Sequence, residues 1–142
     1  EMTNMAQFQR TPLNPPSAPQ PLGAYSMAME VTASRLLFVA GQVAVDSGGN
    51  LVGKGDAAAQ TRQVFHNIGQ VLAGAGASFS NVVEFTIYLV GRDSIQPFMQ
   101  ARAELFPETF PDGDYPPSTL LVIGGLVWED FLVEIKAVAA LP

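Results

Sequence analysis

Residues 118–139, STLLVIGGLVWEDFLVEIKAVA, carry the reading that decides the fold. Two apolar runs, Ser118–Ile123 and residues 131–139, are joined by Gly124-Gly125 and a short loop, and both read as strands. In the second run, period-two alternation puts Leu132, Glu134 and Lys136 on one face and Val133, Ile135 and Ala137 on the other. Glu134 is a lone carboxylate between Val133 and Ile135, and an acid in a core strand needs a reason. Just upstream of the first run, Tyr115-Pro116-Pro117 fixes the backbone and supplies no amide donor at two successive positions.

Working outward, the 142 residues fit one domain with one core. Charged residues are 14% of the chain against an average of about 25%, and apolar residues are 48%. So little charge leaves an isolated monomer short of polar surface, which points to burial between subunits. A net charge of −6, with 7 basic and 13 acidic residues and no basic cluster, argues against a nucleic-acid partner. The absence of cysteine removes disulfides, thiolate nucleophiles and Cys-ligated zinc. With no run of 18 apolar residues and no charged-then-apolar leader, a soluble, cytoplasmic protein without a membrane partner is expected. Residues 1–4 are set aside as a candidate expression-tag remnant.

Between residues 11 and 22 there are five prolines, so this segment is extended and cannot be a helix; residues 1–22 read as a Pro-rich arm and 23–142 as the domain. Residues 27–31 and 36–40 read as a hairpin that ends at Gly41-Gln42, where a glycine within a strand marks a bulge or a close backbone approach. Residues 46–55 form a loop in which Gly48, Gly53 and Lys54 approximate a phosphate-binding loop. That motif fails at Gly55, where Ser or Thr is required to hold magnesium. Asp56 is suited to cap a helix whose apolar positions are Ala57, Thr61, Val64, Ile68, Val71 or Leu72, and Ala75, ending at residues 74–76. His66, the single histidine, has no partner for metal ligation or a triad and reads as a helix-surface or packing residue.

Val82–Val90 is the clearest strand. Val83, Phe85, Ile87 and Leu89 share one face, and Glu84, on the other, reads as an interface charge ahead of a second site acid. Ser94 is expected to cap a second helix with Pro97 in its first turn and Ile95, Phe98, Met99, Leu105 and Phe106 on its apolar side; Arg102 is expected as a solvated or interface charge. The order strand, strand, helix, strand, helix, strand, strand gives an α+β layered fold with both helices on one face of a single mixed sheet. The apolar opposite face then calls for a closed homo-oligomer.

Gly23-Ala24-Tyr25-Ser26, residues 37–42 (LFVAGQ), 59–64 (AQTRQV), 73–78 (AGAGAS) and 133–139 (VEIKAVA) together resemble, in order, the RidA/YjgF family of reactive-intermediate deaminases. The resemblance implies a chorismate-mutase-like α+β fold, a homotrimer with a central barrel core, clefts between subunits, and cofactor-free, metal-free hydrolysis of enamines and imines to keto acids and ammonia. It implies that Glu134 activates the attacking water, that Tyr25 lines the pocket, and that backbone around Gly41, Gln42 and Thr119, beside Ser118, binds the polar end of the ligand.

Two positions depart from the family pattern. The arginine that forks onto the substrate carboxylate is replaced by Pro117, directly before Ser118-Thr119, and Ala40 replaces the small hydroxyl residue before Gly41. Proline offers neither charge nor amide hydrogen, so weak turnover of 2-aminoacrylate and an altered substrate are expected. The alternative is a non-catalytic trimer of the same fold that binds a small ligand or a protein in the cleft.

Overall fold

A computed structural model describes residues 7–142; residues 1–4, set aside above, lie outside them. The elements run β1 (Gln9–Leu13), β2 (Ala28–Thr32), β3 (Arg35–Val43), α1 (Ala57–Gly74), β4 (Val82–Val90), α2 (Ile95–Thr109), β5 (Ser118–Ile123) and β6 (Val133–Leu141). Four strands form a mixed sheet in the order β3-β6-β4-β5, antiparallel except for the parallel β4–β5 pair. Two helices pack on it in an α+β arrangement, as the sequence predicts.

The two C-terminal runs are both strands, yet they are not neighbours, because β4 lies between them. Parallel pairing needs a long crossover, and α2 supplies it between β4 and β5. The loop at 124–132 then carries the chain across β4 to β6. The hairpin expected from residues 27–31 and 36–40 does not form: β2 pairs with β1, and β3 pairs with β6. The single sheet of the sequence reading is thus a four-stranded sheet accompanied by a two-stranded ladder.

The strand β1 lies within the Pro-rich segment, where Pro12 occupies an edge strand that tolerates a missing amide. Arg10 fixes this ladder to the body of the protein. Its side chain is 4% exposed, donates to the Ser80 and Asp114 carbonyls, pairs with the Asp114 carboxylate at 3.6 Å and lies over the Phe110 ring.

The core occupies the space between the helices and one face of the sheet. Phe85, Ile87 and Leu89 of β4 and Val133, Ile135 and Ala137 of β6 meet Val64, Phe65, Ile68 and Leu72 of α1 and Phe98 and Phe106 of α2. Leu72 is buried and Val71 is exposed, which settles the choice left open by the helical spacing. Edge-to-face contacts link Phe65 to Phe85 at 5.7 Å and to Phe106 at 5.5 Å, a geometry that favours aromatic quadrupoles. Asp56 caps α1 by accepting from the Ala59 amide, as expected. Ser94 sits at the start of α2 but does not cap it, because its hydroxyl donates to the Val90 carbonyl instead.

One buried polar residue organises two loops at once. Gln60, fully buried in α1, donates to the carbonyls of Gly53 and Asp130 and accepts from the Leu132 amide. It therefore ties the turn before α1 to the entry of β6. Gly53, at φ +79°, makes this turn possible, since a Cβ there would stand 2.8 Å from that of Ala59.

Candidate functional site

Glu134 lies on β6 beside Val43 of β3 and Tyr88 of β4. Because Ile135 and Val133 point into the core, Glu134 faces away from the helices and is half-buried. Between Val39 and Gln42 the β3–β6 register slips by one residue, placing a bulge at Ala40-Gly41. Gln42 braces the bulge by donating to the Ala40 carbonyl. The glutamate side chain lies directly over this glycine. A Cβ on Gly41 would stand 2.6 Å from Glu134 Oε2 and 2.8 Å from Cδ, closer than ordinary contact. The close backbone approach read from the sequence at Gly41 is therefore an approach to the carboxylate itself.

Tyr25, Pro117, Ser118 and Thr119 come together, with Ser26, Met27 and Glu84, around a cavity of about 170 Å³. The residue 23–27 segment is held against the start of β5 by the Ser26 amide, which donates to the Pro116 carbonyl. The Tyr25 hydroxyl accepts from the Leu22 amide, and Pro117, which has no amide hydrogen, still accepts from the Phe85 amide through its carbonyl. Glu84 opens onto this cavity, and neither ion pair among the described residues includes it. Ser26 and Met27 were invisible as site residues in the sequence, since no charge or spacing marks them.

Within one chain these residues form two clusters. Glu84 and Tyr88 are four positions apart on β4, so Glu134, paired with Tyr88, sits about 13 Å along the strand from the level of the Tyr25 cavity. Thr119, Thr86, Lys136, Leu121, Tyr88 and Glu134 all share the helix-free face of the sheet. The same face exposes Leu36, Phe38 and Leu121, with Phe38 as much as 75% exposed. Gln42 borders a second, larger cavity of about 630 Å³ between β3 and α1, with Gln63, Asn67 and Asp46 in its wall. His66 is exposed on this wall, as expected of a helix-surface residue. The glycine loop nearby is a hydrogen-bonded turn: Asp46 accepts from the Gly48 and Asn50 amides, chiefly the latter, and these bonds hold its carboxyl below the usual range. Among the described residues no group of three or more His, Cys, Asp or Glu could hold a metal ion, and no helix is long and apolar enough to cross a membrane.

Arg102 departs from its expected place. It is not solvated: it is 6% exposed, stacked over the rings of Phe98 at 5.3 Å and Phe106 at 6.0 Å, and donates to the Met99 sulfur. Burial pulls its pKa below the ordinary arginine value, and the nearby phenols of Tyr25 and Tyr115 partly offset this. Burying an ion costs several kcal/mol. Each ring returns about 0.5–2 kcal/mol, so the aromatic contacts do not by themselves account for the placement.

A family profile described as Endoribonuclease L-PSP matches residues 15–141. A RutC family protein of Pyrococcus horikoshii is 36% identical over 123 residues, covering 87% of this chain and 91% of that protein. The 3-aminoacrylate deaminase RutC of Acinetobacter baylyi is 36% identical over 125 residues, covering 88% of this chain and 93% of that protein. Among solved structures, the Rid-family protein YyfB of Yersinia pestis superposes with a TM-score of 0.83 at 31% identity, covering 93% of this chain and 98% of that one. The chain belongs to the RidA/YjgF family, the group that also takes in the RutC proteins.

Proposed function

We propose that this protein is a hydrolase that converts a small enamine or imine to a keto compound and ammonia, acting as a cytoplasmic homotrimer without metal or organic cofactor. The observation that carries the reading is the Glu134 carboxylate lying over the Gly41 bulge on an open sheet face, in neither of the ion pairs among the described residues. A carboxylate so placed takes a proton from water as the oxygen attacks the imine carbon. It passes that proton to the imine nitrogen, giving a carbinolamine, and then relays the hydroxyl proton to the amine as the C–N bond breaks and the C=O bond forms, releasing ammonia; an enamine enters the same path after its N–H proton moves to the β-carbon. The deaminase named among the relatives supports this chemistry.

Assembly completes the site in this reading. The Tyr25 cavity and Glu134 stand apart in one chain but share the apolar face that a second copy would cover. Glu134 of one chain then meets Tyr25, Ser118 and Thr119 of the next. Ribonuclease chemistry is not part of the proposal, because 7 basic against 13 acidic residues give a polyanion little to bind. The test is ammonia release from 2-aminoacrylate and from uncharged cyclic imines, with wild type and Glu134→Gln. Turnover of one of them, abolished by the substitution, is expected. Equal turnover by both proteins would sink the role of Glu134, and a wild type that binds small ligands but turns none over would mark a binding protein instead.

A further inference from the structure

We infer that Glu84 sets the charge that this site accepts: its carboxylate receives an ammonium group at the end of the ligand away from the reacting carbon, beside Tyr25, Ser118 and Thr119. That the ligand is an imine rests on the reading above; the cation site rests on Glu84 and its cavity.

Charge and open space coincide here. Glu84 and Thr86 of β4 face away from the core, since Phe85 and Ile87 are buried in it, and Ser118 and Thr119 of β5 stand opposite Phe85 and Thr86. The cavity at this place, about 170 Å³, has room for about six non-hydrogen atoms, at about 30 Å³ for each water-sized volume. Its wall holds one charged group, Glu84. The Ser118, Thr119 and Tyr25 hydroxyls add acceptors, and Met27 and Pro117 cover an alkyl stem. An ammonium brings the opposite charge and three donors to this set, and an aromatic ring such as that of Tyr25 also attracts a cation.

No cation of the described chain already neutralises Glu84. Neither cavity is lined by lysine or arginine. Arg102 is buried against Gly23, and Arg10 is committed to the Ser80 and Asp114 carbonyls and the Asp114 carboxylate. Lys136, opposite Thr86 on β6, is exposed and makes no ion pair with Glu84. A carboxylate entering the cavity would therefore meet Glu84 with nothing in the wall to offset it, and the net charge of −6 disfavours its approach from a distance as well. In the assembled site Glu134 of the next copy adds a second negative charge. The loss of a cation at Pro117 and the presence of an anion at Glu84 thus act in the same direction, turning the site from an anionic ligand to a cationic one.

The test uses the whole protein and three probes of similar size: aminoacetone, a cation; hydroxyacetone, its neutral counterpart; and pyruvate, an anion. Binding is followed at neutral pH by the backbone amide resonances of Ser118 and Thr119 in nitrogen-15 NMR. Aminoacetone is expected to bind about fivefold or more tightly than hydroxyacetone, with pyruvate the weakest, and added salt to narrow the gap. Glu84→Gln should erase the preference for aminoacetone while leaving hydroxyacetone within about twofold of wild type, a split that a misfolded variant could not give. Equal wild-type affinity for aminoacetone and hydroxyacetone, a preference that survives Glu84→Gln, pyruvate binding more tightly than aminoacetone, or no binding of aminoacetone at all would overturn the inference. Aminoacetone held through Glu84 by a protein that turns over no imine would refute the hydrolase reading and leave the cation site standing.

Discussion

Substituting Gly41 by Ala tests the geometry of Glu134 without touching its chemistry. The new Cβ would lie 2.8 Å from Glu134 Cδ and 2.6 Å from Oε2. Relief to ordinary carbon–carbon contact requires the carboxyl carbon to retreat by about 0.7 Å or more. The group that must yield is the end of a flexible side chain, and Gly41 has no positive φ that would strain an alanine. An off-rotamer glutamate costs about 0.5–1.5 kcal/mol. The smaller unfolded-state entropy of Ala returns about 0.4–1 kcal/mol, so stability should change by less than about 1 kcal/mol. Catalysis is less tolerant, because a misplacement near 1 Å can cost about a hundredfold in rate. Gly41→Ala should therefore lower kcat/KM for ammonia release by about 10- to 100-fold, with Tm within about 4 °C of wild type. The two quantities are read by a coupled ammonia assay and by calorimetry. Wild-type kcat/KM in the alanine variant would refute the placement of the reacting carboxylate over Gly41, and a collapse in Tm would mean that the glycine serves the fold.

Two further outcomes are expected. Gln60→Ala removes the hydrogen bonds to Gly53, Asp130 and Leu132 and opens a cavity under β6; a loss of about 2–4 kcal/mol in urea unfolding is expected, and a loss below about 1 kcal/mol would show that water replaces the side chain. Phe38→Glu places a charge on the helix-free face, where burying the native ring contributes about 1.5–3 kcal/mol; light scattering should find a trimer for wild type and monomer for the variant, and a wild type that is monomeric at every concentration would remove the homotrimer.

The sequence by itself determined the strands at 82–90 and 118–123, a last strand read at 131–139 and found at Val133–Leu141, and the two helices and their apolar sides, because period and capping are local properties of consecutive residues. It also marked Gly41 as a place of close approach, although the group approaching it belongs to a strand more than ninety positions away. What it could not carry was pairing. β2 turns to β1 through Arg10, which reaches carbonyls at 80 and 114, and β4 slips between β5 and β6; both depend on contacts that no local window contains. The burial of Arg102 was lost for the same reason: on a helix, one charged residue reads as solvated until Gly23, Tyr25 and Tyr115 are seen to close around it. Glu134 was legible as an acid needing a reason, whereas its place over Gly41 and its distance from the Tyr25 cavity were decided by the tertiary structure, because a strand pattern fixes which face a side chain takes and not what stands opposite it.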